Sequence, residues 1–122
     1  MSKVQISVPT REQSVLSVLE CILRGSGIPS EQYSVGAYAE ECVCLDRTDK
    51  GWVVYDGERG KRYAVFASPD LYQACLEMLN RLAESEEHSA SIQWYFQSAI
   101  QEEWERSLDF NVAAPLPRHR IC

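Results

Sequence analysis

Apolar and polar residues alternate along this chain with two different periods, and each change of period predicts a change of secondary structure. Over residues 10–24, apolar side chains recur every three or four positions, which predicts an amphipathic helix. Residues 36–47, 52–56 and 61–66 are typical of strands, because apolar residues there alternate with polar ones or occupy both faces. The helical period returns over residues 69–83 and 88–108, which predicts two further helices.

Short segments rich in glycine, proline and polar residues predict where these elements begin and end. Gly25 follows the first helix, at a position where a left-handed residue is favoured. The segments 48–51 and 57–60 have the composition of reverse turns. Ser68 is the expected N-cap of the second helix, and Pro69 is its expected first residue.

The order of the elements, one helix, three strands and then two helices, predicts a single α+β domain. We expect a small antiparallel β-meander of three or four strands, packed with an N-terminal helix and two C-terminal helices. The domain is expected to occupy residues 1–122, because this length suits one hydrophobic core. Within it, residues 1–9 are expected to form an edge strand or arm, and residues 111–122 an extended tail.

The sequence predicts a cytoplasmic location. It contains no apolar run of about 18 residues, the length that a membrane-spanning helix needs. Residues 1–9 lack the apolar core of a signal peptide. We therefore expect no membrane among the partners of this protein.

The chain is acidic, with a formal net charge of −6 at pH 7. Phosphate groups repel an acidic domain, so nucleic acid is not an expected partner. A negative surface attracts a positively charged protein and speeds the encounter with it. The same acidity also serves solubility alone, and composition does not distinguish the two roles.

Residues suited to catalysis or metal binding are sparse and scattered. The two histidines, His88 and His119, have no sequence signature that places either one beside a cysteine nucleophile. Cys42 and Cys44 share one face of a predicted strand, but no second pair stands at the spacing of zinc ligands. We therefore expect neither enzyme activity nor a cofactor or metal site.

Charged and aromatic clusters are the better candidates for a binding surface. The three consecutive aromatic residues 94–96 cannot all face one core from a helix, so at least one is expected outside it. The turn at 57–60 presents two long charged side chains, which suit a binding role and a solvated hairpin tip equally well. The expected partner-binding residues are Glu40, Glu41, Asp56, Glu58, Arg59, Trp94 and Tyr95.

One stretch of the chain resembles a known family. Residues 52–60 have the pattern W-x-V-Y-x-x-E-R-G, which follows a Y-x-x-G-x-Y segment at 33–38 and precedes an Ala-Cys pair at 74–75. In this combination the chain resembles the small bacterial immunity proteins that are encoded beside polymorphic or contact-dependent growth inhibition toxins. The resemblance covers residues 33–83.

This resemblance implies a toxin inhibitor that works by protein–protein interaction, as one half of a toxin–antitoxin pair. Such a protein binds the toxin domain of its own locus in a 1:1 complex in the bacterial cytoplasm, and it catalyses nothing. Many of these toxins are nucleases with basic surfaces, so an acidic inhibitor would imitate the charge of their substrate. The alternative is an acidic adaptor or secretion-chaperone-like binding protein, which is expected to dimerise.

Overall fold

The computed structural model describes residues 11–108, and the side chains of residues 11–103. Its helices and strands occur in the order α1 (Arg11–Gly25), β1 (Tyr33–Val35), β2 (Cys42–Thr48), β3 (Gly51–Glu58), β4 (Lys61–Ser68), α2 (Leu71–Leu82) and α3 (Glu86–Leu108). The predicted α+β class, with one N-terminal and two C-terminal helices, is confirmed. The arm expected at residues 1–9 and the tail expected at residues 111–122 lie outside the described residues.

The four strands form one mixed sheet in the order β1-β2-β3-β4. The antiparallel meander of β2, β3 and β4 is as predicted, whereas β1 pairs in parallel with β2. The single strand expected over residues 36–47 is wrong in its first half, where residues 36–41 form a loop. Backbone geometry explains the break, because Gly36 and Glu41 have φ angles of 96° and 57°, which lie outside the range of a strand.

The hairpin between β3 and β4 closes with a two-residue turn. Glu58 pairs with Lys61 across it, so β3 ends two residues later than the sequence indicated. Arg59 and Gly60, the two central residues, have φ angles of 54° and 76°. Positive φ at both positions is what a type I′ turn requires, and that turn matches the twist of the strands it joins. The hairpin tip is therefore a defined structure and not a loose loop.

The hydrophobic core lies between one face of the sheet and the three helices. α2 packs against β2, β3 and β4, and α1 and α3 pack against α2. α2 is consequently covered on two sides and lies in the middle of the domain. The fully buried side chains of this core include Leu19, Leu23, Leu45, Val54, Met78, Leu79 and Phe96.

The start of α2 differs from the prediction. Asp70 is the N-cap, and its carboxylate accepts a hydrogen bond from the Tyr72 amide at 3.1 Å. Ser68, the expected cap, belongs to β4, and its hydroxyl accepts a hydrogen bond from the Asp70 amide at 3.0 Å. Pro69 therefore precedes the helix, because the sheet takes up Ser68 by pairing it with Trp52.

α3 contains 23 residues and begins at Glu86, slightly before its predicted start. Phe96 is fully buried, whereas Trp94 and Tyr95 are 61% and 47% exposed. This confirms that the three consecutive aromatic residues do not all reach the core. No helix within residues 11–108 is long and apolar enough to cross a membrane.

Candidate protein-binding site

An open cleft of about 640 Å³ lies at one end of the sheet, between β3 and the C-terminal end of α2. Three of the carboxylate residues that the sequence indicated, Glu41, Asp56 and Glu58, line this cleft. Glu84, in the connection between α2 and α3, lines it as well. The fold therefore gathers four acidic residues around one opening, although they come from separate segments of the chain.

Arg81 is the cationic residue of the cleft lining, and its guanidinium is already bonded within the fold. Its Nε donates to Glu77 at 2.8 Å, and its Nη2 donates to the Ala64 carbonyl at 2.5 Å. Its Nη1 lies 3.5 Å from an Asp56 carboxylate oxygen, and its side chain is 17% exposed. Asp56 and Glu77 share the charge of Arg81. Since four acidic residues and this one arginine line the cleft, it keeps an excess of negative charge.

β4 contains one extra residue opposite β3, next to the cleft. The register shifts between Val54 and Asp56, so that two residues of β4 face a single residue of β3. Ala64, within this bulge, has a φ angle of 52°. The hydrogen bond from Arg81 satisfies the Ala64 carbonyl and so ties the bulge to α2.

Glu40 lies in the loop 36–41 and fastens this loop to the tip of the β3–β4 hairpin. One of its carboxylate oxygens accepts a hydrogen bond from the Arg59 amide at 2.8 Å. The other accepts from the Gly60 amide and from the Tyr38 hydroxyl, each at 2.7 Å. Both oxygens are therefore engaged inside the protein, although Glu40 is an exposed residue.

The loop 36–41 covers the face of the sheet that is turned away from the helices. The Tyr38 ring stacks on the Tyr55 ring, with centroids 6.3 Å apart. A Cβ atom at Gly57 would lie 2.3 Å from the Ala39 carbonyl oxygen, so only glycine permits this close approach. The glycine that the sequence assigned to a turn is thus required by packing within a strand.

Tyr55 is fully buried beneath this loop. Its hydroxyl donates to Asp46 at 2.5 Å, and the Arg62 guanidinium lies 4.8 Å from the centroid of its ring. Burial, followed by the hydrogen bond to Asp46, raises the pKa of Tyr55 well above its usual value. The phenol therefore stays protonated at neutral pH and remains a donor to Asp46.

The hydrogen bonds to Glu40 make the loop sensitive to acid. The Tyr38 hydroxyl, and then the Arg59 and Gly60 amides, lower the pKa of Glu40 because they donate to its charged form. A group whose pKa is lower in the folded state than in the unfolded state stabilises the fold at pH values above its ordinary pKa. That contribution disappears as the pH falls through the lower value.

We expect the Gly60 amide resonance to shift with the titration of Glu40, at a pH below the value of about 4.3 that is usual for glutamate. Tyr38→Phe removes the donor with the largest effect, so the pKa of Glu40 should rise in this variant. A pH titration by NMR of both proteins measures the two values. The same Glu40 pKa in both proteins would contradict the role of the Tyr38 hydroxyl.

Trp94 and Tyr95 lie apart from the cleft. Tyr95 lines a second cavity, of about 290 Å³, between α1 and α3, and this cavity shares no lining residue with the cleft. Trp94 contacts Tyr95 edge-on, with ring centroids 5.2 Å apart. The structure thus separates the predicted binding residues into the carboxylate cleft, the hairpin tip with Glu40 and Arg59, and this aromatic pair.

The groups considered for catalysis or metal binding have structural partners where the structure describes them. His88 Nδ1 accepts a hydrogen bond from the Glu84 amide at 3.0 Å, at the start of α3. Cys42 Sγ donates to the Glu31 carbonyl at 3.2 Å. Burial raises the pKa of the Cys75 thiol to about 12, which makes it a poor nucleophile. His119 lies outside the described residues.

Within residues 11–103, no three His, Cys, Asp or Glu side chains are placed together in a way that could hold a metal ion. The carboxylates of the cleft line a wide opening, in contact with solvent. A metal ion needs several oxygen ligands at coordination distance, which is a tighter arrangement.

Arg81 and Glu84 are the charged cleft residues that the sequence did not single out. Arg81 stands four residues after Glu77, a spacing that indicates an ion pair on a helix but gives no sign of a cleft. Glu84 belongs to an acidic run, yet only the packing of α2 on the sheet brings it near Asp56.

The candidate site is therefore a cleft lined by carboxylates, beside a hairpin tip that Glu40 holds in place. Chemically, this arrangement is suited to attract and hold a positively charged group. Comparisons of the chain with protein-family models, with curated proteins and with solved structures found no match.

Proposed function

We propose that this chain is a bacterial immunity protein, which binds the toxin domain of its own locus in a 1:1 complex and neutralises it by association alone. The sequence resemblance over residues 33–83 supports this function. The observation that carries it is the cleft lined by Glu41, Asp56, Glu58 and Glu84. A concave, acidic surface is what an inhibitor of a basic protein needs.

A nuclease domain is the proposed toxin, because a surface that binds phosphate carries arginine and lysine side chains. The net charge of −6 attracts such a domain over long distances. At short range, a basic side chain of the toxin enters the cleft, where carboxylate oxygens replace the water molecules that were bonded to it. Arg81 opposes this entry only weakly, because its charge is paired with Glu77 and Asp56.

The test is the association of the chain with the toxin domain that the neighbouring upstream gene encodes. A variant with Glu41→Gln, Asp56→Asn and Glu58→Gln should associate about 10- to 100-fold more slowly at low salt, because it lacks the charges that steer the encounter. Its association rate should also depend less on salt concentration. Stopped-flow mixing at several salt concentrations measures both effects.

A matched control removes the same charge elsewhere. The variant with Glu20→Gln, Asp49→Asn and Glu87→Gln changes three residues that do not line the cleft. It should associate within about threefold of the wild-type rate, because local charges steer an encounter more than distant ones. Equal slowing of the two variants, or wild-type rates for both, contradicts the cleft as the binding site. Failure of the wild-type chain to bind the toxin contradicts the function itself.

The exposed pair Trp94 and Tyr95 favours a second candidate function, an acidic adaptor or secretion-chaperone-like binding protein. Exposed aromatic residues beside a cavity are typical of surfaces that take up an apolar segment of another chain. Such a protein would form a homodimer, and it would bind its partner normally after the cleft carboxylates are replaced. Sedimentation of the free chain distinguishes a monomeric inhibitor from a dimeric adaptor.

A further inference from the structure

Three residues other than glycine adopt left-handed backbone conformations within the described part of the chain, and all three adjoin the cleft. They are Glu41, Arg59 and Ala64, with φ angles of 57°, 54° and 52°. Residues with a side chain keep this conformation only where surrounding bonds hold them in it. Glu41 lines the cleft, and Arg59 follows Glu58, which also lines it. Ala64 is held by Arg81, a third lining residue.

Glu40 is connected to two of these three positions. It precedes Glu41 in the chain, and its carboxylate accepts the hydrogen bond of the Arg59 amide. The same carboxylate accepts hydrogen bonds from the Gly60 amide and the Tyr38 hydroxyl, so each of its two oxygens has a partner within the protein. One side chain therefore joins the loop that carries Glu41 to the hairpin that carries Glu58.

We infer that Glu40 is a positioning residue of the binding site: it does not contact the partner, but holds Glu41 and Glu58 in the arrangement that the partner recognises. This inference rests on the proposed function, because it concerns the same site. It also changes the place of Glu40 among the residues that the sequence indicated, from a contact residue to a support of two contact residues.

The physical basis is pre-organisation. Two segments that are joined before binding do not have to be ordered during binding, and the complex therefore forms with a smaller loss of conformational entropy. Without the Glu40 carboxylate, the Arg59 amide loses its acceptor, the Gly60 amide keeps the Tyr38 hydroxyl alone, and the loop 36–41 is held less firmly to the hairpin tip. Glu41 is then still attached to β3 by its own amide, which donates to the Gly57 carbonyl, but the hairpin tip beside Glu58 is held less firmly, and the partner has to order it on binding.

The affinity of Glu40→Ala for the toxin domain tests this role. We expect a loss of about tenfold, since ordering a short loop and its side chains costs roughly that much in binding. Glu31→Ala serves as the matched control, because it removes one exposed negative charge that does not line the cleft. Its affinity should stay within about twofold of the wild type. Isothermal titration calorimetry measures both variants.

A thermodynamic cycle separates positioning from direct contact. In a chain that already carries Glu41→Gln and Glu58→Gln, the further change Glu40→Ala should alter affinity by less than about twofold, because there is nothing left for Glu40 to position. If Glu40 touched the partner itself, the full tenfold loss would persist in this background. That result would overturn the inference while leaving the proposed function intact.

Hydrogen exchange of the free chain gives a readout that needs no partner. The Arg59 and Gly60 amides should exchange faster in Glu40→Ala than in the wild type, and at the wild-type rate in Glu31→Ala. Glu40→Gln provides a second variant if Glu40→Ala does not fold, because the side-chain oxygen of glutamine can still accept a hydrogen bond from one of these two backbone amides. Unchanged exchange at both positions overturns the inference. A wild-type chain that binds no toxin overturns the proposed function, and the inference with it.

Discussion

Replacing Phe96 with alanine should lower the free energy of unfolding by about 3–5 kcal/mol, which is the usual cost of removing a buried aromatic ring. Phe96 is fully buried and stacks on Tyr72, with ring centroids 5.6 Å apart. It belongs to the core in which α2 and α3 meet. The cavity left by the ring closes only in part, because α3 packs against both α1 and α2.

Tyr95→Ala is the matched control, on the same helix and one residue away. Tyr95 is 47% exposed, so its replacement should change the free energy of unfolding by only about 0.5 kcal/mol. Urea denaturation followed by circular dichroism measures both variants, and equal slopes would show that the transitions are comparable. A similar decrease in the free energy of unfolding for the two variants would mean that the packing of α3 on α2 is not as described.

Gly57→Ala should lower the free energy of unfolding by about 1–3 kcal/mol, the usual cost of forcing an extra methyl group into a filled space. The added Cβ would lie 2.3 Å from the Ala39 carbonyl oxygen and 3.0 Å from the Tyr38 ring. Because the oxygen belongs to the backbone, the loop 36–41 has to lift from the sheet. The Glu41 amide donates to the Gly57 carbonyl at 2.7 Å, so its hydrogen exchange reports this movement directly.

Gly60→Ala separates this steric effect from backbone strain. No atom lies within 4 Å of the position of its Cβ, but the φ angle of 76° is unfavourable for alanine. The variant should lose about 1–2 kcal/mol through conformation alone, and the Glu41 amide should remain protected. Protection of the Glu41 amide in Gly57→Ala as well would show that close packing is not the reason for the glycine.

Local patterns predicted most of the fold. The helical period marks α1, α2 and α3 because each helix presents an apolar face to the core. The β2–β4 meander was predictable because neighbouring strands are joined by short turns, and such pairings are local in sequence. The start of α2 was misplaced because Ser68 and Asp70 are both good N-caps, and only pairing with β3 assigns Ser68 to the sheet.

The region around the loop 36–41 could not be predicted, because its structure depends on side chains that bond to distant backbone groups. Glu40 reaches amides 19 and 20 residues away, and no periodicity reports such a contact. β1 has three residues and pairs in parallel with β2, so it has too short a pattern to be recognised. Glu41, Asp56 and Glu58 could be identified from the sequence as charged residues, but they lie near Arg81 and Glu84 only because α2 packs on the sheet.

The bulge in β4 bears on how the protein behaves when it is abundant. β4 forms one edge of the described sheet, and an open edge is a template on which the strand of another molecule can aggregate. The extra residue interrupts the regular row of amides and carbonyls, and Arg81 already occupies the Ala64 carbonyl. Lys61 and Arg62 add positive charge at one end of this edge. Copies of the chain are thereby hindered from pairing edge to edge along β4, which opposes the growth of fibres when the protein is concentrated.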